Sequence, residues 1–386
     1  MMKAHHIFTA IVLAVLVSCA VSCVYPFEAE LGGESGTFVI EGDILIGELS
    51  KINLSYTAPV SDPGNVSTPK TASVWVEDDR GGEYSGRDAG NGEFYVDLTE
   101  ADPSLNYRLR VTNGDSGRDY ASSWLRVCKA PVIDSLSYIK HEDKSILNIA
   151  LSMHSEGESY FKWRYHEDWE YHAEMFARIE YFPPVKNTST WNGGLGVIED
   201  MPYGVNKYFC WDSNDSSEIM VFSTETQTED RFVDLEFHAI PRDALKIQTL
   251  YHIDVTLEPI TEDAYIYWNN IKTNSEYNGS LFAPNPSEMA GNIRCLNDTT
   301  EMVFGFINAA MCDTQSLFFD NTYERFYKAM RNIREEPVAV SDRKEWISRY
   351  TAGWIPYDYE DPLTPSVTMW ALKDMVDCRC QGGNKN

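Results

Sequence analysis

The chain has 386 residues, 59 of them acidic and 32 basic, for a formal net charge of -27 at pH 7. Such an excess repels phosphate backbones and anionic lipid headgroups, so nucleic acid and basic-patch membrane contact are set aside as partners. Ten Trp and 22 Tyr supply ample aromatic surface for stacking or for protein contact.

The N-terminus has signal-peptide order: a polar start with Lys3, His5 and His6, an apolar run from Ile7 to Val17, then small residues around Cys19 and Cys23. As a helix that run reaches roughly 16 Å at ~1.5 Å per residue, too short for a ~30 Å hydrocarbon core. Leu16-Val17-Ser18-Cys19 resembles the bacterial lipobox, in which a lipidated cysteine follows the cleaved bond, and Cys23 after Ala20-Val21-Ser22 is a second candidate. An ordinary secretory signal is the competing reading. The expected organisation is a lipoprotein signal peptide over residues 1–22, cleaved before Cys19 or Cys23, a β-sandwich over 30–128, and a β-rich second domain over 129–386.

From Gly36 to Val127 short alternating runs predict strands at Thr37 to Ile44, Ile52 to Thr57, Ala72 to Glu77, Glu93 to Leu98, Tyr107 to Thr112 and Tyr120 to Arg126. Turn clusters such as Asp62-Pro63-Gly64-Asn65 separate them, and Asn113-Gly114 reads as a tight hairpin. Six or seven strands at this spacing indicate an immunoglobulin-like or transthyretin-like sandwich. Pro131 marks the boundary to longer, more aromatic strands, including Ile146 to Met153 and Tyr160 to Trp169. Residues Tyr181 to Tyr208 read as an extended loop. Thr261 caps a helix near 261–273, with Glu262 and Asp263 in its first turn and Ala264, Tyr265, Trp268 and Ile271 on one buried face. A second amphipathic stretch runs from Tyr323 to Ile333.

No nucleophile elbow, P-loop, zinc-protease helix or paired Cys-x-x-Cys is present. His166 and His172 flank Glu167, Asp168 and Glu170. On a strand they share a face but lie ~20 Å apart, and on a helix they diverge, so no metal ligand set follows. Asp212-Ser213-Asn214-Asp215-Ser216 begins like a calcium loop but lacks its glycine and its terminal glutamate, and reads as a polar hairpin turn. Six cysteines beyond the signal region allow fifteen pairings, and their spacing favours none. Trp191 and Tyr203 in the long loop, with Trp354 and Tyr357 beside Pro356, are the candidate ligand or partner contacts; local packing is the competing role of each. No catalytic residue, metal or cofactor is expected.

Phe38-Val39-Ile40-Glu41-Gly42-Asp43-Ile44, Tyr160-Phe161-Lys162-Trp163, Tyr208-Phe209-Cys210-Trp211 and Ala264-Tyr265-Ile266-Tyr267-Trp268 together resemble the lipoprotein family called domain of unknown function 4249. Pro284-Asn285-Pro286-Ser287, Gly291-Asn292-Ile293 and Val303-Phe304-Gly305-Phe306 extend the resemblance over nearly the whole mature chain. Family members place a proline-aromatic pair soon after the first cysteine, and Tyr25-Pro26-Phe27 draws lipidation toward Cys23, whereas the lipobox favours Cys19. The resemblance implies an outer-membrane, lipid-anchored protein on the periplasmic or cell-surface side, in the company of a TonB-dependent receptor. The function expected from it is a non-enzymatic accessory or ligand-capture subunit of such a transporter, with a free-standing glycan- or peptide-binding lipoprotein as the alternative. It carries over no catalytic residue.

Overall fold

The computed structural model describes residues 36–58, 66–184, 195–201, 207–276, 291–328, 336–360 and 367–377. Strands account for 53% and helices for 11%, which makes the protein mainly β. The first nine strands are β1 (Phe38–Gly42), β2 (Ile44–Leu45), β3 (Leu49–Tyr56), β4 (Ala72–Asp78), β5 (Glu83–Gly90), β6 (Glu93–Asp97), β7 (Asn106–Asn113), β8 (Arg118–Ser122) and β9 (Leu125–Arg126). Alternation does the sorting: Phe38, Ile40, Ile52, Leu54, Phe94 and Val96 from one sheet meet Val74, Val76, Tyr107, Leu109 and Val111 from the other in a single buried core.

The order β1-β3-β6-β5 faces β5-β4-β7-β8, because the first part of β5 pairs with β4 and the rest with β6. Named A to G in chain order, these are A-B-E-D against C-F-G, the immunoglobulin-like arrangement. Tyr107 at the start of strand F donates its hydroxyl to the Asp102 carbonyl at 2.7 Å, forming the tyrosine corner of that fold. β5 has no counterpart among the expected strands. Its sequence, Glu-Tyr-Ser-Gly-Arg-Asp-Ala-Gly, buries no face and so carries no alternation. The hairpin at Asn113 also differs: Asn113 pairs with Arg118, leaving four residues in the turn, and the left-handed position falls at Gly117 instead of Gly114.

After the first sandwich the chain runs through β10 (Val132–His141), β11 (Ile146–His154), β12 (Tyr160–His172), β13 (Ile179–Phe182), β14 (Val197–Asp200), β15 (Phe209–Asp215), β16 (Met220–Ser223), β17 (Arg231–Pro241), β18 (Leu250–Pro259), helix α1 (Glu262–Glu276), β19 (Ile293–Cys295), β20 (Val303–Phe304), β21 (Ala309–Ala310) and β22 (Asp313–Asp320), of which β10–β12, β15–β18 and β22 build a second sandwich. Sheet β10-β11-β17 packs on the sheet in which β15 and β16 both pair with β12, followed by β18 and β22. In the same lettering this is A-B-E against C′-C-F-G, so the A-B-E and C-F-G orders of the first sandwich recur, with C′ in place of D, without any repeat legible in the sequence. β13 and β14 form a hairpin inside the C–C′ connection, where the sequence suggested only loop.

Everything from α1 to β21 is inserted between strands F and G of the second sandwich, and it returns to the first. β20 pairs in parallel with β1, and β19 pairs antiparallel with β8, so the insertion covers both outer edges of the first sandwich. The crossing is close. A Cβ built on Gly291 would fall 1.6 Å from the Gly305 carbonyl oxygen, and one on Gly305 would fall 1.9 Å from that of Ile40, so only glycine fits at either place. The remaining described chain, α2 (Asn321–Glu324), β23 (Val338–Val340), α3 (Trp346–Thr351), β24 (Trp354–Tyr359), β25 (Thr368–Leu372) and α4 (Lys373–Val376), forms a small sheet β23-β25-β24 packed against the β13–β14 hairpin. The expected helix from Tyr323 to Ile333 is only the single turn of α2 within the described residues. Arg325 adopts a left-handed conformation that ends it.

Candidate functional site

Cys19, Cys23, Trp191 and Tyr203 lie outside the described residues. Trp354 is buried with Tyr181, Val340, Trp346 and Trp370 in the core of the small C-terminal sheet. Tyr357 is half-buried against the neighbouring cluster of Ile355, Ala371 and Met375. His166 and His172 do share the outer face of β12 but have separate partners: His166 Nδ1 lies 2.7 Å from Asp215, and His172 Nε2 lies 2.7 Å from Glu170. Among the described residues no group of three or more His, Cys, Asp and Glu side chains is placed to hold a metal ion. The turn expected at Asp212 is strand: Asp212 to Asp215 continue β15 and pair with Trp169 to His166, and an edge strand open to water has no apolar face to distinguish its sequence from a polar turn.

A cavity lies where the insertion meets the first sandwich. It is a groove of about 810 Å³ between β8, β9 and β19 on one side and α1 on the other. Thr261 builds its helical wall by accepting from the Ala264 amide at 3.3 Å, while buried Ala264 and Tyr267 anchor the helix against Ile260 and Phe306. Trp124, in the link between β8 and β9, is 46% exposed, and the Arg108 guanidinium stacks 4.4 Å from its ring centroid. Glu77 fixes Arg108 from behind: Arg108 Nε donates to Oε2 at 2.7 Å. Burial would raise the Glu77 carboxyl, but hydrogen bonds from Arg108 and Trp75 and the charges of Arg110 and Arg108 outweigh it and hold the pKa below its ordinary value. Arg126 is gripped in the same way, donating from both terminal nitrogens to the two oxygens of Glu158 at 2.6 and 2.8 Å. Arg294 projects outward from β19 between buried Ile293 and Cys295, with no carboxylate partner among the described residues. Asp263, Asn270 and Ser123 add polar groups, and Ile266 and Leu296 add exposed aliphatic surface.

Beneath the groove the two sandwiches are joined by a buried charge cluster. Lys162 on β12 contacts Asp43 and lies 3.3 Å from Glu258 on β18, with its ammonium 5.2 Å from the Trp268 ring centroid. Asn308 closes the cluster, donating its amide to Asp43 at 2.9 Å and its side chain to the Pro259 carbonyl at 2.9 Å and to Glu258 at 3.3 Å. Burial first, then repulsion from Glu258, pushes Asp43 up to about 7 against the pull of Lys162 and Asn308. Asp43, Lys162, Trp268, Gly291 and Gly305 each belong to one of the sequence segments that carried the family resemblance, so those separate segments meet at one junction.

The sequence model of the family described as Domain of unknown function (DUF4249) matches residues 24–316. The chain belongs to that family. No curated protein matches it. In this DUF4249 chain the match spans both sandwiches up to β22 and stops before the small C-terminal sheet. Its segment Tyr208-Phe209-Cys210-Trp211 enters edge strand β15, where Phe209 and Trp211 point outward and are 46% and 66% exposed. Tyr208 lies 4.9 Å from Phe209 and 5.7 Å from exposed Phe176, giving a continuous aromatic patch at the sheet edge. Cys210, between the two outward rings, is disulfide-bonded, whereas Cys128, Cys295 and Cys312 are free. Burial pushes the Cys128 thiol up to about 12, which keeps it protonated and unreactive. The sequence reading did not single out Trp124, Arg294 or Trp211. The outward position of Trp211 follows from its alternation with the buried Cys210 once residues 209–215 are recognised as strand.

Proposed function

We propose that this protein is a lipid-anchored outer-membrane lipoprotein that serves as a non-enzymatic accessory or ligand-capture subunit of a TonB-dependent transporter. The observation that carries this reading is the aromatic patch of Phe176, Phe209 and Trp211 on the edge of the second sandwich. Exposed aromatic surface of this kind, rimmed by polar residues, marks partner contact. Family membership and the signal-like start ending at Cys19 or Cys23 support the location. The histidines and aspartates of the outer sheet face are engaged with one another, away from the groove, which favours binding over acid–base chemistry.

Capture of the tagged protein from native membranes in mild detergent tests the reading. A TonB-dependent receptor is expected in stoichiometric amount, an acyl mass on Cys19 or Cys23, and at least tenfold less receptor with Trp211→Asp. An acylated protein that is consistently recovered alone would instead favour a free-standing surface binder. That second reading is favoured by one feature, the preformed groove, which is complete within a single chain.

A further inference from the structure

We propose that the groove between β8–β9 and α1 binds a neutral oligosaccharide, with the Trp124 ring as the stacking platform and Arg294, Asp263 and Asn270 as hydroxyl partners. The inference deepens the ligand-capture reading and rests on it. Sugar rings offer two kinds of surface: apolar C–H faces, which pack on aromatic and aliphatic groups, and rims of paired hydroxyls, which suit planar side chains that donate or accept twice. The groove supplies both. Trp124, Ile266 and Leu296 are its exposed apolar groups, each between 46% and 53% accessible, and a guanidinium, a carboxylate and a carboxamide stand among them.

Pre-organisation supports the assignment. Glu77 and Glu158 hold Arg108 and Arg126 from the protein side, so the aromatic wall is fixed before ligand arrives. A strongly anionic ligand fits poorly, because those two arginines are already neutralised, Asp263 lines the groove, and the chain as a whole carries -27. An extended peptide fits less well for a different reason. Peptides in grooves of β proteins are held chiefly through an unpaired strand edge, whereas here β8 is paired on both sides, with β7 and β19, the outer edge of β19 is only three residues long, and the opposite wall is helix.

The test is calorimetric titration of the full chain in mild detergent with maltohexaose, cellohexaose, mannohexaose and xylohexaose, and with penta-alanine as the peptide probe. At least one hexasaccharide should bind, and Trp124→Ala and Arg294→Ala should each weaken it tenfold or more with unchanged thermal midpoints. Arg294 is exposed, so its variant reports on the groove even where Trp124→Ala perturbs folding. Absence of binding by all four saccharides, binding indifferent to both substitutions, or preference for penta-alanine overturns the proposal. Receptor capture is scored on a separate sample: receptor lost with sugar binding kept refutes the transporter reading alone, and the converse refutes only this one.

Discussion

Glu167 is fully buried between the sheets of the second sandwich, yet it is surrounded by donors. Its Oε1 accepts from the Tyr251 hydroxyl at 2.6 Å and lies 2.8 Å from His238 Nε2, while Oε2 accepts from Lys246 Nζ at 2.7 Å. Burial alone would raise this carboxyl, but hydrogen bonds from His238, Lys246 and Tyr251 and the Lys246 charge prevail and lower it from 4.5 to about 2. A carboxylate depressed on folding adds stability that is fully present above about 4.5 and is lost as pH falls toward 2, because the unfolded chain then binds the extra proton. The shift corresponds to about 3 kcal/mol at neutral pH. Urea unfolding followed by tryptophan fluorescence should show stability falling over that window. Glu167→Gln should cost about 3 kcal/mol at pH 7, since it leaves Lys246 and His238 facing a neutral amide, and should flatten the acid slope. An identical slope in the variant would mean that other carboxylates set the acid limb.

Helix α1 and strand β5 show what an element must do to be legible. The helix was readable because three local signals agree: Thr261 as cap, acidic residues in the first turn, and an apolar stripe of period 3.6. The buried stripe differs slightly from the expected one: Tyr267 is buried beside Ala264, while Tyr265, Trp268 and Ile271 pack on that cluster and are partly covered. Strand β5 has no signal in the sequence, and β15, strand-like over Lys207 to Trp211, reads as turn from Asp212 onward, for one shared reason. Each pairs through its backbone but offers little side-chain surface to the core, and the period-two signal comes from burial. The groove is still harder to read, because Trp124 and Arg294 stand 170 positions apart in the chain and meet only through the pairing of β8 with β19. The cap carries a prediction. Thr261→Ala removes the bond to the Ala264 amide and should cost about 1 kcal/mol, with faster amide exchange confined to the first turn of α1. Since that turn forms one wall of the groove, saccharide affinity should drop with it; unchanged exchange would show that packing alone holds the helix end.

At the scale of the whole molecule, two sandwiches that share the A-B-E and C-F-G strand orders are locked together by an insertion that leaves one and completes the other. The lock is apolar around Phe306 and Tyr267 but ionic at its centre, where Lys162 stands between Asp43 and Glu258. Two buried carboxylates that close would repel, and Asp43 responds with a carboxyl raised to about 7. The sign is opposite to that of Glu167. A raised acid binds its proton more tightly in the folded state, so its contribution to stability declines as pH rises from about 4 to about 7. Removing the cation should sharpen this. Lys162→Met leaves Asp43 and Glu258 without their shared partner, and breaking a buried pair in this way costs about 3–5 kcal/mol. The penalty should be largest at pH 8 and smaller at pH 5, where Asp43 takes up a proton and the repulsion is relieved. Unfolding at the two pH values measures the difference, and limited proteolysis at the links flanking α1 shows whether the junction opens first. Equal penalties at pH 5 and pH 8 would mean that Lys162 contributes packing alone, and that the hydrophobic contacts of α1 hold the sandwiches together without the charges.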